Sequence, residues 1–357
     1  MSYSKEKVKE ELEVDDIVAI LDYFGGEPED HDTYILSKTI CHGGDSKKLY
    51  YYIDQELFHC YTDCSSSFDI FELVQKIKHI EFNDAVYFVV SFLNLQYKLE
   101  EVDDVEYSED WKIFKRYEQA EEEKETALER ILLPEFDLSV IEHYPRPHYS
   151  NWEKEGISKE VCDYCGIHYD PIGGNILIPH FDQHNRCVGI RQRTLVQENE
   201  QWGKYRPWKR NGTLYNHALA FNLYGLNWAL PQIQESKIAI VTESEKAVLQ
   251  YISYFGLANN LCVAVCGSSL SKYQFQLLQD CGVKEIVIAF DKDFEDIDSE
   301  ERVKVEEKLL KIYHKFGSMV NMSFLFDSEC NTLGYHSSPL DEGKDKFLYL
   351  FRNRVIL

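Results

Sequence analysis

A chain of 357 residues is long enough for two or three domains with substantial cores, and its 44% hydrophobic and 14% aromatic content places it among folded proteins rather than disordered ones. The formal charge of −24 argues, by itself, against nucleic-acid binding. No apolar run approaches the ~18 residues of a membrane span, the N-terminal MSYSKEKVKEELEV lacks the apolar core of a secretory signal, and ten cysteines without such a signal read as thiols or metal ligands of a cytoplasmic protein rather than as a disulfide framework.

In chain order, the first expected helix spans 14–23, followed by short strand-like runs. Within ICHGGDSKKLYYYIDQELFHCYTDC, Cys41 and His42 stand about twenty residues before Cys60 and Cys64. Thiolate and imidazole donors in two clusters across a hairpin are the pattern of a structural Zn²⁺ ribbon. The competing reading is a hairpin whose cysteines are small buried hydrophobes. Adjacent residues share one tetrahedral ion only with backbone distortion, so His31, His59 and Asp45 are alternative ligands, with Cys41 the one most open to replacement. Tyr50, Tyr51 and Tyr52 read as sheet residues or as a stacking surface for single-stranded bases. A second helix is expected over 82–95, with Asn83 as its start signal. The acidic stretch 98–127 reads as a solvated helix or a linker.

From 128 to 235 short strands alternate with loops, and NILIPHFD and CVGIRQRTL, separated by QHN, suggest a hairpin. Residues 171–230 hold seven basic side chains (Arg186, Arg191, Arg193, Lys204, Arg206, Lys209, Arg210) against three acids. That local excess suits either a groove for a polyanion or an ordinary solvated face. Cys162 and Cys165 form a literal C-x2-C, but no second pair lies at ribbon spacing and the segment is helical, so both read as core, as do Cys262, Cys266 and Cys281. From 236 onward the pattern becomes strand, helix, strand: KIAIVTE, KAVLQYISYFG, LCVAVCG, YQFQLLQDCG, EIVIAFD, a long helix over 300–316, then MSFLF. Continuous apolar strands between helices predict a parallel sheet covered on both faces.

Two of those strands end in acid. IVIAFDKDFED closes on Asp291 and Asp293, which project to the same side at i and i+2. Like charges so close cost energy unless a cation sits between them. IAIVTE ends in Glu243, and sites of open parallel sheets form at the carboxyl ends of strands. If the two strands are neighbours, three carboxylates converge as hard oxygen donors for Mg²⁺, which neutralises charge on a transferring phosphoryl group. The bland alternative is polar residues where a strand leaves the core.

TESEKAVL, CGSSLSKYQFQLL and IAFDKDFED together resemble the TOPRIM module shared by DnaG-type primases, topoisomerases and some nucleases, with Glu243, Gly267 with Ser268, and Asp291 with Asp293 at the motif positions. Ser244 and Ala247 depart from the Gly and Asp often found there. Upstream, GGNILIPHFDQHNRCVGIRQRTL resembles the hairpin of primase catalytic cores, a Phe-Pro-Ile run followed by Gly-Arg. GKYRPWKR, NLYGL and GISKEVCDYCGIHYDP are similar to further segments of those cores. The cysteine hairpin and the SFDIFELV and FNDAVYFVV helices resemble the primase zinc-binding domain, although that family spaces its ligands Cys-x2-His and Cys-x2-Cys where this chain has an adjacent pair and Cys-x3-Cys.

The resemblance to DnaG-type primases, most of all compact phage or mobile-element versions, implies α+β and α/β architecture. It implies a zinc ribbon over 1–97, the acidic linker 98–127, a mixed α/β subdomain with a basic hairpin over 128–235, and a TOPRIM Rossmann-like parallel-sheet domain with a C-terminal tail over 236–357. It further implies RNA primer synthesis on single-stranded DNA from ribonucleoside triphosphates. Glu243, Asp291 and Asp293 would bind Mg²⁺ or Mn²⁺ with Asp345 as a further acid, Arg193, Lys204 and Tyr205, with Arg191 beside them, would hold template or triphosphate, and Cys41, His42, Cys60 and Cys64 would bind Zn²⁺. With no GxxxxGK[ST] motif, a replicative helicase would be a separate partner. A TOPRIM nuclease and a non-catalytic nucleic-acid-binding or regulatory protein are the alternatives.

Overall fold

The computed structural model describes residues 5–62, 64–93, 95, 133–146 and 152–357. The acidic stretch 98–127 lies outside them. The chain divides into two compact units, Met1–Leu133 and Pro134–Leu357.

In the first unit an antiparallel sheet runs in chain order through β1 (Glu29–Asp30), β2 (Tyr34–Lys38), β3 (Lys47–Tyr52), β4 (Leu57–Cys60) and β5 (Ser67–Phe68). The tyrosine run obeys strand alternation: Leu49 and Tyr51 are buried while Tyr50 and Tyr52 stay half-exposed on the other face. Among the described residues of this unit, four helices accompany the sheet, α1 (Lys5–Glu10), α2 (Val14–Tyr23), α3 (Ile70–Lys78) and α4 (Phe82–Phe92). Asp69 caps α3 by accepting the amides of Phe71 and Glu72, both at 3.0 Å, and pairs with Lys5 at 2.6 Å and Lys9 at 3.3 Å. One carboxylate thus starts one helix and tethers another. The cap of α4 is Glu81 rather than Asn83, which falls inside the first turn. The reason is Phe82, whose ring packs 5.9 Å from that of Phe71 and begins the apolar stripe one residue earlier.

The described residues of the second unit form two sheets. The antiparallel one comprises β6 (His168–Asp170), β7 (Asn175–Phe181), β8 (Cys187–Thr194), β9 (Tyr205–Arg210) and β10 (Thr213–Tyr215), in the order β10-β9-β8-β7-β6. The expected hairpin is β7 and β8, with Asn185 supplying a positive φ of 65° in its turn. The other sheet runs β12-β11-β13-β14-β15, from β11 (Ile238–Thr242), β12 (Cys262–Ala264), β13 (Glu285–Ile288), β14 (Asn321–Phe324) and β15 (Val355–Ile356). Its first four strands are parallel and β15 is antiparallel. The helices are α5 (Ser139–Glu142), α6 (Lys159–Tyr164), α7 (Leu226–Ser236), α8 (Glu245–Phe255), α9 (Lys272–Asp280), α10 (Glu300–Phe316) and α11 (Lys344–Arg352).

Continuous burial of β11 and β13 follows from apolar layers on both faces of the parallel sheet. Ile240 and Val287 join a layer with Val248, Tyr251 and Phe347, while Ala239, Val241, Ile286 and Ile288 join another with Ile233, Phe275 and Phe316. The hairpin belongs to the first layer through Ile176 and Ile178, whereas Leu177 turns to Ile190 and Trp208. The architecture is therefore α+β and α/β, with a cysteine-rich zinc-ribbon-like sheet, a basic hairpin sheet and a Rossmann-like sheet. Among the described residues, no helix is long and apolar enough to cross a membrane.

Candidate active site and metal centre

β11 and β13 are direct neighbours, with Ile240 opposite Val287 and Val241 opposite Ile288, so Glu243 and Asp291 leave the sheet at the same end. Burial raises the pKa of Glu243 and the charge of Asp293 adds to it, against the opposing pull of Lys308, whose Nζ lies 2.8 Å from Oε1. Asp291 is pushed up to about 7, first by burial, then by the charges of Glu243, Asp341 and Asp293, with Lys246 acting the other way. The charges of these carboxylates act on one another across the strand ends, a repulsion that a divalent cation relieves.

Lys292, between the two aspartates in sequence, does not neutralise them. Its buried ammonium donates to the Leu333 carbonyl at 3.0 Å and lies 3.4 Å from Asp327, whose carboxylate accepts the amides of Thr332 and Leu333. It anchors the loop that carries His336, and His336 Nδ1 lies 2.8 Å from Asp293 Oδ1. Asp345 stands exposed in the first turn of α11. The further acid acting on Asp291 is Asp341, positioned by Lys246 at 2.6 Å, by the Gln250 amide at 2.9 Å and by the Ser338 amide at 3.0 Å. Ala247, where the TOPRIM pattern often carries an acid, is fully buried in the apolar layer, an environment that disfavours a charged carboxylate.

The hairpin brings its arginines to the same unit. Arg193 is 6% exposed, with its guanidinium carbon 5.7 Å from the Trp152 ring and 5.9 Å from the Tyr205 ring. Its Nη2 lies 3.4 Å from Glu155, but Nε and Nη1 are buried without a hydrogen-bond partner among the described residues. Glu155 reaches Lys246 at 3.3 Å, so charges alternate from Arg193 through Glu155 and Lys246 to Asp341. Lys204 is exposed at the start of β9. Gly267 and Ser268 form an exposed bend after β12.

Arg191 is turned to Glu245, its Nε 3.0 Å from Oε1, and the same oxygen pairs with His180 Nε2 at 3.1 Å. Burial alone would raise the Glu245 pKa, but Arg191 and His180 outweigh it and hold the carboxyl at about 2. This buried triad, missed by the sequence reading although Glu245 sits inside TESEKAVL, fastens the hairpin to the start of α8. Its stabilisation is present above the ordinary Glu value of 4.5 and is lost as pH falls through about 2. Glu245→Ala removes the buried carboxylate shared by Arg191 and His180, and a loss of about 3–5 kcal/mol is expected in urea unfolding at neutral pH.

In the first unit the donor atoms of Cys41, His42, Cys60 and Cys64 all lie within 4.8 Å of one another. A 3₁₀ turn over Ile40–His42, closed by Gly43 at φ 74°, lets the adjacent Cys41 and His42 face one point. His31 instead stacks on Tyr34, His59 pairs with Ser67 at 2.8 Å and Asp45 is exposed. Cys41 and Cys64 sulfurs are 3.6 Å apart, far from the ~2.05 Å of a disulfide and close to the ~3.8 Å edge of a tetrahedron with 2.3 Å metal–sulfur bonds. For Cys60, burial works against ionisation, but hydrogen bonds from Thr62 and the Cys64 amide outweigh it and bring the thiol down to about 6. Three sulfurs and an imidazole in this geometry fit a structural metal ion. Cys162 and Cys165 are buried core side chains, and burial pushes the Cys162 thiol up to about 12.

No family model matches the chain. Its fold is similar to solved primase structures: the zinc-binding and RNA polymerase domains of Aquifex aeolicus primase (18% identity, TM-score 0.47, 99% of this chain and 86% of that one), a DnaG catalytic core (18%, 0.45, 61% and 78%), and the E. coli primase catalytic core (21%, 0.41, 57% and 72%). With TM-scores below 0.5 these likenesses carry no part of the site's chemistry, which rests on the side chains described above. The SPbeta prophage-derived uncharacterized protein YorJ of Bacillus subtilis (strain 168) is 35% identical over 378 residues, 99% of this chain and 98% of that one. Identity at that level along both full lengths makes this chain a member of the YorJ family.

Proposed function

We propose that the chain is a DnaG-like primase that makes RNA primers on single-stranded DNA from ribonucleoside triphosphates. The observation that supports the reading is that Glu243 and Asp291 leave adjacent parallel strands at one end and that their charges and that of Asp293 act on one another, in one unit with a buried arginine that has unused donors. Glu243, Asp291 and Asp293 would hold Mg²⁺ or Mn²⁺, which when bound would supply positive charge for the transferring phosphoryl group and its pyrophosphate leaving group. Arg193 offers Nε and Nη1 to phosphate oxygens, and the rings of Trp152 and Tyr205 fix its fork. Lys204 adds an exposed charge for template or triphosphate, while Arg191, held by Glu245, keeps the hairpin in register with the acids. Asp341 takes the place of Asp345 as the further acid.

The first unit binds Zn²⁺ through Cys41, His42, Cys60 and Cys64 and engages single-stranded template. Its half-exposed sheet face supports that role: the rings of Tyr34 and Tyr50 are 5.3 Å apart, as are those of Tyr50 and Tyr61, a surface on which bases stack. In this reading the working parts are the zinc domain 1–97, the hairpin subdomain 128–235 and the catalytic subdomain 236–357, acting in the cytoplasm beside a separate replicative helicase.

The test is incubation of the full chain with single-stranded DNA, labelled ribonucleotides and Mg²⁺ or Mn²⁺. New oligomers that depend on the template support the proposal. Shortened DNA without new oligomers identifies a nuclease instead. Arg193→Lys keeps the charge but loses the fork, and kcat/KM for ribonucleotides is expected to fall roughly 10–100-fold, the weight of one or two charge-assisted hydrogen bonds.

A further inference from the structure

The carboxylates at the strand ends already have basic side chains of the protein beside them, two ammonium groups and one imidazole. Lys308 Nζ lies 2.8 Å from Glu243, Lys246 Nζ 2.6 Å from Asp341, and His336 Nδ1 2.8 Å from Asp293. Among the described residues no ion pair involves Asp291. Four carboxylates against two ammonium groups leave a deficit of two charges, which a single divalent cation fills. Lys246 is also paired with Glu155, but the charge of Glu155 is balanced in turn by Arg193.

Lys308 is seated by more than one contact. Its ammonium lies 5.1 Å from the centre of the Phe290 ring, the residue immediately before Asp291. The helix α10 that projects it is fixed at both ends. Ser299 caps the first turn through the Arg302 amide at 3.2 Å, Arg302 also reaches the carbonyls of Ile297 and Ser328, and Ile312 and Phe316 are buried in the apolar layer. A rigid helix therefore delivers one positive charge to one acid of the cluster.

Resting on the primase reading, we infer that Lys308 is a built-in cation of the active site. It occupies on Glu243 the place a second divalent ion would take, so the cluster binds one Mg²⁺ or Mn²⁺ where two-metal sites bind a pair. Lys308 acts through Glu243 and is a positioning residue, not one that touches the reacting atoms.

The test is Mn²⁺ binding to the zinc-loaded full chain, followed by electron paramagnetic resonance of the free ion, with Asp291→Asn as the blank. Wild type is expected to bind one Asp291-dependent ion. Lys308→Gln is expected to take up a second and to hold the first about tenfold tighter, the weight of one nearby unit charge. Lys308→Arg is expected to behave as wild type. Lys308 is partly exposed on a surface helix, so these variants retain the fold's core. Two Asp291-dependent ions in wild type, or unchanged binding in Lys308→Gln, would overturn the inference. Primer synthesis on the same preparations separates the two claims. Wild type that makes primers with two ions overturns the role of Lys308 alone, and wild type that binds one ion but makes no primers overturns the primase reading alone.

Discussion

Asp291→Asn is expected to stabilise the magnesium-free chain while sharply lowering the proposed nucleotidyl transfer. The Asp291 carboxyl is buried among Glu243, Asp341 and Asp293 and titrates at about 7 instead of its ordinary 3.8. The folded state therefore holds this proton more tightly than the unfolded chain does. The stability it contributes is fully present below pH 3.8 and is lost as pH rises through about 7. At pH 8 without Mg²⁺, keeping the bare carboxylate there costs on the order of 4 kcal/mol. Asparagine fills the same space without the charge, so calorimetry at pH 8 should show the second unit of the variant melting higher than wild type. Adding Mg²⁺ should raise the wild-type transition and leave the variant's unchanged. Transfer activity should drop at least about 10²–10³-fold, the usual effect of removing one preorganised electrostatic group. A variant that melts below wild type at pH 8 would show that Asp291 is compensated in the fold.

Cys60→Ser is expected to have the largest effect on folding. The four donors of the N-terminal cluster meet across separate elements: Cys41 and His42 on a 3₁₀ turn, Cys60 at the end of β4, and Cys64 in the following turn. Such a site is absent from the unfolded chain, so the metal's binding energy, about 10–16 kcal/mol for structural Zn²⁺, becomes folding energy. Serine removes the sulfur of the thiol held at about 6. Zinc measured by mass spectrometry should fall from about one ion per chain to near zero, and the first unit should lose its cooperative unfolding transition. Full zinc content in the variant would mean that another ligand set holds the ion.

Much of this was legible in the sequence because local rules and tertiary demands agree. The helices Val14–Tyr23 and Glu300–Phe316 have the bounds their patterns predict. The strand-end acids were readable because a parallel sheet puts its chemistry at one edge and β11 pairs with β13. The adjacent Cys41 and His42 looked unfavourable for one metal when judged by spacing alone, and the 3₁₀ turn is the conformation that spacing could not reveal.

What escaped the sequence are groups that meet only through packing. Lys308 lies 65 positions from Glu243, Lys246 lies 95 from Asp341, and nothing local marks either pair. Asp341 and Asp345 share one short segment, and only the path into α11 decides which of them faces the cluster. Glu245 is visible in TESEKAVL, but nothing in that motif marks it as the buried partner of two residues on the hairpin. Its partner Arg191 looked like one more basic residue of the island until the fold turned it inward.

The measurement that bears most directly on the whole account is synthesis of labelled RNA on single-stranded DNA by the wild-type chain and by Asp291→Ala, side by side in Mg²⁺ and in Mn²⁺. Wild type is expected to make template-dependent oligomers and the variant none. Equal background signal from both proteins in both metals would contradict it.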